Sequence, residues 1–148
     1  MKVKKSVKKA NKKLIKEFPF LMPRDVWTSK IFEDYDYSYT KFDYIPEGWR
    51  KAFGIQFMKE LKVALGDYID EYRVIQIKEK YGSLRWYDFG APKEVYKVIE
   101  KYQNLSKVTC IVCGKPATKI AMGWISPYCD KCFPGGKFYK INEDKKIL

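Results

Sequence analysis

The chain's four cysteines fall as Cys110-x-x-Cys113 and Cys129-x-x-Cys132 with fifteen residues between the pairs, and this spacing limits more than any other feature what the chain can fold into. Two such pairs suit one tetrahedral Zn²⁺ held by four thiolates. In each pair a tight knuckle points both sulfurs the same way, and Gly114 follows the first pair where a residue tolerant of positive φ is needed. The stretch Lys115 to Tyr128 is long enough for a short hairpin that returns the second knuckle to the first, which predicts a zinc ribbon or treble-clef-like module. Two disulfides would require an oxidising compartment, but the N-terminus is a lysine run without the apolar segment of a secretory signal. The expected location is cytoplasmic. Four cysteines also close the coordination shell, whereas a catalytic zinc keeps an open position, so the Zn²⁺ is expected to be structural.

With 148 residues, 46% of them hydrophobic and 17% aromatic, the chain can bury a core in one domain with an appendage. No stretch reaches the roughly 20 apolar residues of a membrane span, and no membrane partner is expected. The net charge of +12 is unevenly distributed, because residues 1–16 hold eight lysines and no acid. Lys4, Lys5, Lys8, Lys9, Lys12 and Lys13 are candidates for contact with nucleic acid phosphates, against the alternative of a solvated basic helix. Val3, Val7, Ala10, Leu14 and Phe18 recur every three or four residues, so the run can form an amphipathic helix with a thin apolar stripe. Histidine is absent, which removes the commonest general base and lowers the expectation of an enzyme.

Four segments follow. Residues 1–17 form the basic tail or helix, 18–107 an α+β core, 108–133 a zinc module packed on that core, and 134–148 a flexible polar tail. Pro19 and Pro23 predict an extended arm that lays Phe18, Phe20 and Leu21 on the core. In Asp34-Tyr35-Asp36-Tyr37 the alternation puts both acids on one face of an extended segment. Pro46-Glu47 opens the clearest helix, along which Trp49, Phe53, Phe57, Leu61 and Leu65 step by four until Gly66. Residues 72–79 and 84–89 read as a β-hairpin around Lys80-Tyr-Gly-Ser83, with Val74, Gln76 and Lys78 on one face and Ile75 and Ile77 on the other. A second helix runs from Pro92 to about Ser106, facing inward with Val95, Val98, Ile99, Tyr102 and Leu105. The fold class is α+β, with two helices flanking a hairpin and a C-terminal four-cysteine module.

Four segments together, Tyr35-Asp-Tyr-Ser-Tyr-Thr40, Pro46-Glu-Gly-Trp-Arg-Lys-Ala-Phe-Gly54, Gln76-Ile-Lys-Glu-Lys-Tyr-Gly-Ser-Leu-Arg-Trp86 and Gly123-Trp-Ile-Ser-Pro-Tyr-Cys129, resemble a family of small uncharacterised proteins from Firmicutes and their phages and mobile elements. The resemblance covers most of the chain beyond the lysine run. It implies a small accessory product for which binding and blocking roles are common, and it brings no catalytic residues.

Three constellations carry candidate chemistry. Lys78, Lys80 and Arg85 with Tyr81, Trp86 and Tyr87 place cations and π-faces on one hairpin, as single-stranded nucleic acid binders do, although alternation sends Trp86 to the core. Gln76-Ile-Lys78 matches the strand motif of restriction-like nucleases if Asp34 or Asp36 lies beside it. Tyr35, Tyr37 and Tyr39 suit a protein-binding loop. The function expected is a zinc-stabilised, non-catalytic binder of nucleic acid or of a nucleic-acid-handling protein, including a phage-encoded inhibitor of a host or defence factor. A metal-dependent nuclease using Asp34, Asp36 and Lys78, and a protein adaptor without nucleic acid contact, are the alternatives.

Overall fold

The computed structural model describes residues 2–141, and the architecture is α+β with two small antiparallel sheets. Helix α1, Lys5–Glu17, carries the basic run. Its apolar spacing marks only part of the face that docks, since Val7 and Ala10 point to solvent while Leu14 and Phe18 turn inward. The seated positions are Lys8, Asn11, Lys12 and Ile15, three or four apart and so on one side of the helix. Lys8 Nζ pairs with Asp36 at 3.0 Å, Asn11 Nδ2 donates to the Tyr37 carbonyl at 2.8 Å, and Lys12 Nζ stands 5.2 Å from the Tyr37 ring centre. Ile15 is buried below them.

The arm after α1 is a 3₁₀ turn, Pro19–Leu21, and not extended. A proline at the first position of such a turn gives up only a donor that has no partner there. Phe18, Phe20, Leu21 and Met22 still enter the core. The Asp34–Tyr37 segment also departs from its alternation: Tyr37 has φ of 66° and Asp36 Oδ1 accepts from the Ser38 N–H at 3.1 Å. A turn with a left-handed residue has no pair of alternating faces.

After Pro46 one continuous helix runs as α2, Glu47–Trp49, a π-turn over Arg50–Gly54, and α3, Ile55–Leu65. Trp49, Phe53, Phe57, Leu61 and Leu65 are all buried. Residues four apart advance about 40° beyond a full turn of an α-helix, so over four steps the stripe would leave the core. The wider π-turn absorbs part of that drift.

Strands β1, Val74–Lys80, and β2, Ser83–Asp88, form the hairpin. Its two-residue turn, Tyr81-Gly82, has positive φ at both positions, the geometry that follows the strands' twist. The expected division of β1 into faces fails at Ile75. The register slips between Val74 and Gln76, so Val74 shares the buried face with Ile77, not with Gln76 and Lys78. Trp86 is core as alternation predicts, and its Nε1–H donates to the Tyr72 hydroxyl, which donates to Asp88 Oδ2 at 2.5 Å. Helix α4, Lys93–Ser106, packs on α3 and lies along β2. There Ser106 Oγ and Gln103 Oε1 accept the N–H groups of Leu84 and Trp86.

The C-terminal sheet has β3, Lys119–Ala121, between β4, Ser126–Tyr128, and β5, Phe138–Lys140. The 134–148 segment read as a flexible tail therefore supplies a strand. Lys119 draws it in, with Nζ 5.2 Å from the ring centres of both Phe133 and Phe138. The remainder of that segment, 142–148, lies outside the described residues. Among the described residues no helix is long and apolar enough to cross a membrane.

Candidate metal centre and adjoining groove

The cysteine pairs converge through local backbone bonds that each knuckle makes with itself. Gly114 N–H donates to the Cys110 carbonyl at 3.0 Å with φ of 85° at the glycine, and Phe133 N–H to the Cys129 carbonyl at 3.1 Å. Ile111 N–H bonds the Pro127 carbonyl at 3.0 Å and joins one knuckle to the strand leading into the other. The four Sγ atoms all lie within 4.8 Å of one another, those of Cys113 and Cys129 at 3.6 Å. Four sulfurs about 2.3 Å from a tetrahedral metal stand about 3.8 Å apart. The cluster can therefore hold one metal ion.

Cys129 and Cys132 differ in electrostatic surroundings. The backbone N–H of Cys132 and the neighbouring thiols draw Cys129 down to about 7, while contact with Cys129 pushes Cys132 up to about 12. A divalent ion would stabilise all four as thiolates. Thr118 Oγ1 and Lys119 Nζ both hold Asp130 Oδ1, at 2.6 and 2.9 Å, and brace the second knuckle on β3.

The first knuckle is clamped to the core by α2. Gly48 is the second helical residue, so its N–H has no partner within the helix; it donates to the Ile111 carbonyl at 2.8 Å. Buried Trp49 donates Nε1–H to the Thr109 carbonyl at 2.8 Å. The backbones approach so closely that a Cβ on Gly48 would stand 2.2 Å from the Cys110 oxygen, and one on Gly114 would stand 2.6 Å from the Gly48 oxygen.

Where the metal module meets the hairpin tip, a groove of about 390 Å³ opens between Lys78–Tyr81 and Gly123–Ile125. Trp124 is 79% exposed and Tyr81 71%. Lys78 Nζ lies 5.7 Å from the Tyr87 ring centre and Lys80 Nζ the same distance from that of Tyr81. Arg85 stands opposite Lys78 on β2, and its buried Nε has no hydrogen-bond partner among the described residues. The floor is tight, because a Cβ on Gly82 would lie 3.1 Å from Ile125 Cγ2.

Lys4, Lys5, Lys9 and Lys13 are exposed on α1, whereas Lys8 and Lys12 are turned onto the Asp36 and Tyr37 loop. Tyr35, Tyr37 and Tyr39 are half-buried and hold one another: the Tyr35 hydroxyl donates to the Tyr39 carbonyl, and the Tyr35 ring centre is 4.9 Å from that of Tyr37 and 5.5 Å from that of Tyr39. Asp34 is exposed, and Asp36 is engaged by Lys8 and Ser38, while Lys78 lies over Tyr87. Trp124 is the groove residue that sequence reading passes over; an indole between a glycine and a β-rich run was the available signal. No family model, curated protein or solved structure matches this chain.

Proposed function

We propose that the chain is a zinc-stapled, non-catalytic binding protein that takes single-stranded nucleic acid in the groove between the hairpin tip and the metal module. The observation that carries this reading is the pairing of two exposed aromatic side chains, Tyr81 and Trp124, with Lys78 and Lys80 across one groove. Exposed π-faces stack bases irrespective of sequence, and the lysines meet the phosphates. The zinc would have a structural part: it would hold together the two knuckles, from the second of which β4 runs back to Gly123–Ile125 at the hairpin, and a closed four-thiolate shell offers no open position for a substrate. Exposed Lys4, Lys5, Lys9 and Lys13 add long-range attraction for the same polyanion. In a phage-borne setting, such a binder would act by occupying nucleic acid that a host factor needs.

The test follows Trp124 fluorescence and anisotropy of a labelled oligonucleotide, single- or double-stranded, with the zinc-loaded chain. Stacking of one base contributes about 1–3 kcal/mol, so Trp124→Ala should weaken single-strand binding roughly 5–150-fold while leaving thermal stability unchanged. Equal affinity of wild type and Trp124→Ala, or Mg²⁺-dependent cleavage of the oligonucleotide lost in Lys78→Ala, would sink the reading.

A further inference from the structure

Among the described residues strand β1 has no strand partner on the edge away from β2. The two-residue turn sets which backbone groups reach across: those of Gln76, Lys78 and Lys80 face β2, so those of Ile77 and Glu79 point off the sheet. On β2 the corresponding outward N–H groups, at Leu84 and Trp86, are taken by Ser106 and Gln103. On β1, among the described residues, no backbone hydrogen bond outside the hairpin reaches Ile77 or Glu79. An edge whose outward backbone groups are unengaged is a template for an added strand.

Beside Ile75–Ile77 the edge borders a second groove, of about 370 Å³, walled by Val26, Phe32, Tyr39, Tyr44 and Lys41. Val26, Phe32 and Tyr44 are exposed there, an apolar wall that no other described residue covers. Its near end is cationic. Arg24, Lys41 and Arg73 line one narrow cleft with Asp25, whose Oδ1 is already engaged by the N–H groups of Trp27 and Thr28. Lys41 is half-buried, meets no carboxylate among the described residues, and its pKa is lowered by burial alone. A desolvated cation without a counter-charge favours an anionic partner.

We propose that this edge and groove bind an extended acidic segment of another protein as an added strand, with backbone pairing at Ile77 and a carboxylate on Lys41. Alternate side chains of such a strand fall on one face, so the face turned to the groove supplies both the acid for Lys41 and the apolar contacts with Val26, Phe32 and Tyr44. A second copy of this chain is a poor occupant, because Lys78 and Lys80 of each edge would face like charges on the other. The two sites meet at Glu79, but Lys41, Val26, Phe32 and Tyr44 lie outside the nucleic acid groove and Tyr81 and Trp124 outside this one, so variants at those residues let either reading fail without the other.

The probe is a capped eight-residue peptide with valine and aspartate in turn at every second position and threonine between them, titrated into the full zinc-loaded chain by calorimetry and followed by amide hydrogen exchange. Binding should slow exchange at the Ile77 and Glu79 N–H groups and weaken at least about tenfold in Lys41→Gln, the size of one charge-assisted hydrogen bond. A peptide N-methylated along one edge should not bind, a control that changes nothing in the protein. Trp124→Ala should leave peptide affinity unchanged. The proposal is overturned if the peptide does not bind at millimolar concentration, if a valine–lysine peptide binds equally, or if protection appears away from β1. Dimerisation that protects Ile77 without peptide would give the edge to a second copy and overturn it as well.

Discussion

Replacing Gly48 by alanine puts the strongest strain on the contact between core and metal module. The new methyl would stand 2.2 Å from the Cys110 oxygen and 2.5 Å from the Ile111 carbonyl carbon and oxygen. Carbon and oxygen pack at about 3.3 Å or more, so α2 and the knuckle must part by about 1 Å. The bonds Gly48 N–H to Ile111 and Trp49 Nε1–H to Thr109, both 2.8 Å, would then lie near 3.8 Å, beyond any useful hydrogen bond. Each buried donor left unpaired costs about 1–3 kcal/mol, and alanine's better helix propensity returns about 1 kcal/mol. The net loss is about 1–5 kcal/mol, which for a chain of this size lowers Tm by roughly 3–15 °C. Two other glycines grade the effect. At Gly54 the methyl meets the Phe42 ring, at 2.7 and 2.9 Å, and Arg50 Cγ at 3.4 Å, and a half-buried ring can shift, so the loss should be about 1 kcal/mol. At Gly123 no atom of the described residues lies within 4 Å of the added methyl. Scanning calorimetry of the three zinc-loaded variants should rank Gly48→Ala far below Gly54→Ala, and Gly123→Ala beside wild type. A Gly48→Ala protein melting within about 2 °C of wild type would refute the idea that this close approach holds the module in place.

Metal analysis of the reduced protein should give one Zn²⁺ per chain, lost with a Cys113→Ser change and with chelation, and chelation should lower Tm because metal binding and folding are coupled; folded, reduced protein with no metal would end the zinc reading. Asp36 is held at about 2, below its ordinary 3.8, chiefly by the Ser38 hydroxyl and Lys8. A carboxylate with a lowered folded-state pKa stabilises fully above its unfolded pKa, and that contribution fades as pH falls from about 4 towards 2. Hydrogen exchange in α1 should accelerate across that window in wild type and not in Asp36→Asn; identical acid responses would remove Asp36 from the docking of α1.

What could be read from the sequence was what rests on spacing within one element. The cysteine pairs, the Trp49–Leu65 stripe and the Tyr81-Gly82 turn each encode their geometry over a few residues, and each appears as read. The misreadings involve partners remote in sequence. Lys8, Asn11 and Lys12 look like a solvated polar face until Asp36 and Tyr37, some twenty-five residues on, come to meet them. The same contacts accompany the turn at Tyr37 and the loss of the Asp-Tyr alternation. β5 was hidden because Phe138-Tyr-Lys140 is too short to declare itself; it depends on β3 and on the two rings around Lys119. Ile75 shows the limit of strict alternation, since one extra residue in a strand reverses every assignment behind it.

The π-turn at Arg50–Gly54 makes chain length there a determinant of its own. Upstream of it the helix grips the metal module through Gly48 and Trp49; downstream it builds the core through Phe57, Leu61 and Leu65. Each residue added to or removed from a helix rotates one side against the other by about 100°. A single deletion inside the turn would leave every side chain outside it intact and every hydrophobic residue in place, yet aim the two halves in incompatible directions. Substitutions in this turn are therefore far better tolerated than changes in its length, and the helix behaves as a phase adjuster between two separately specified surfaces.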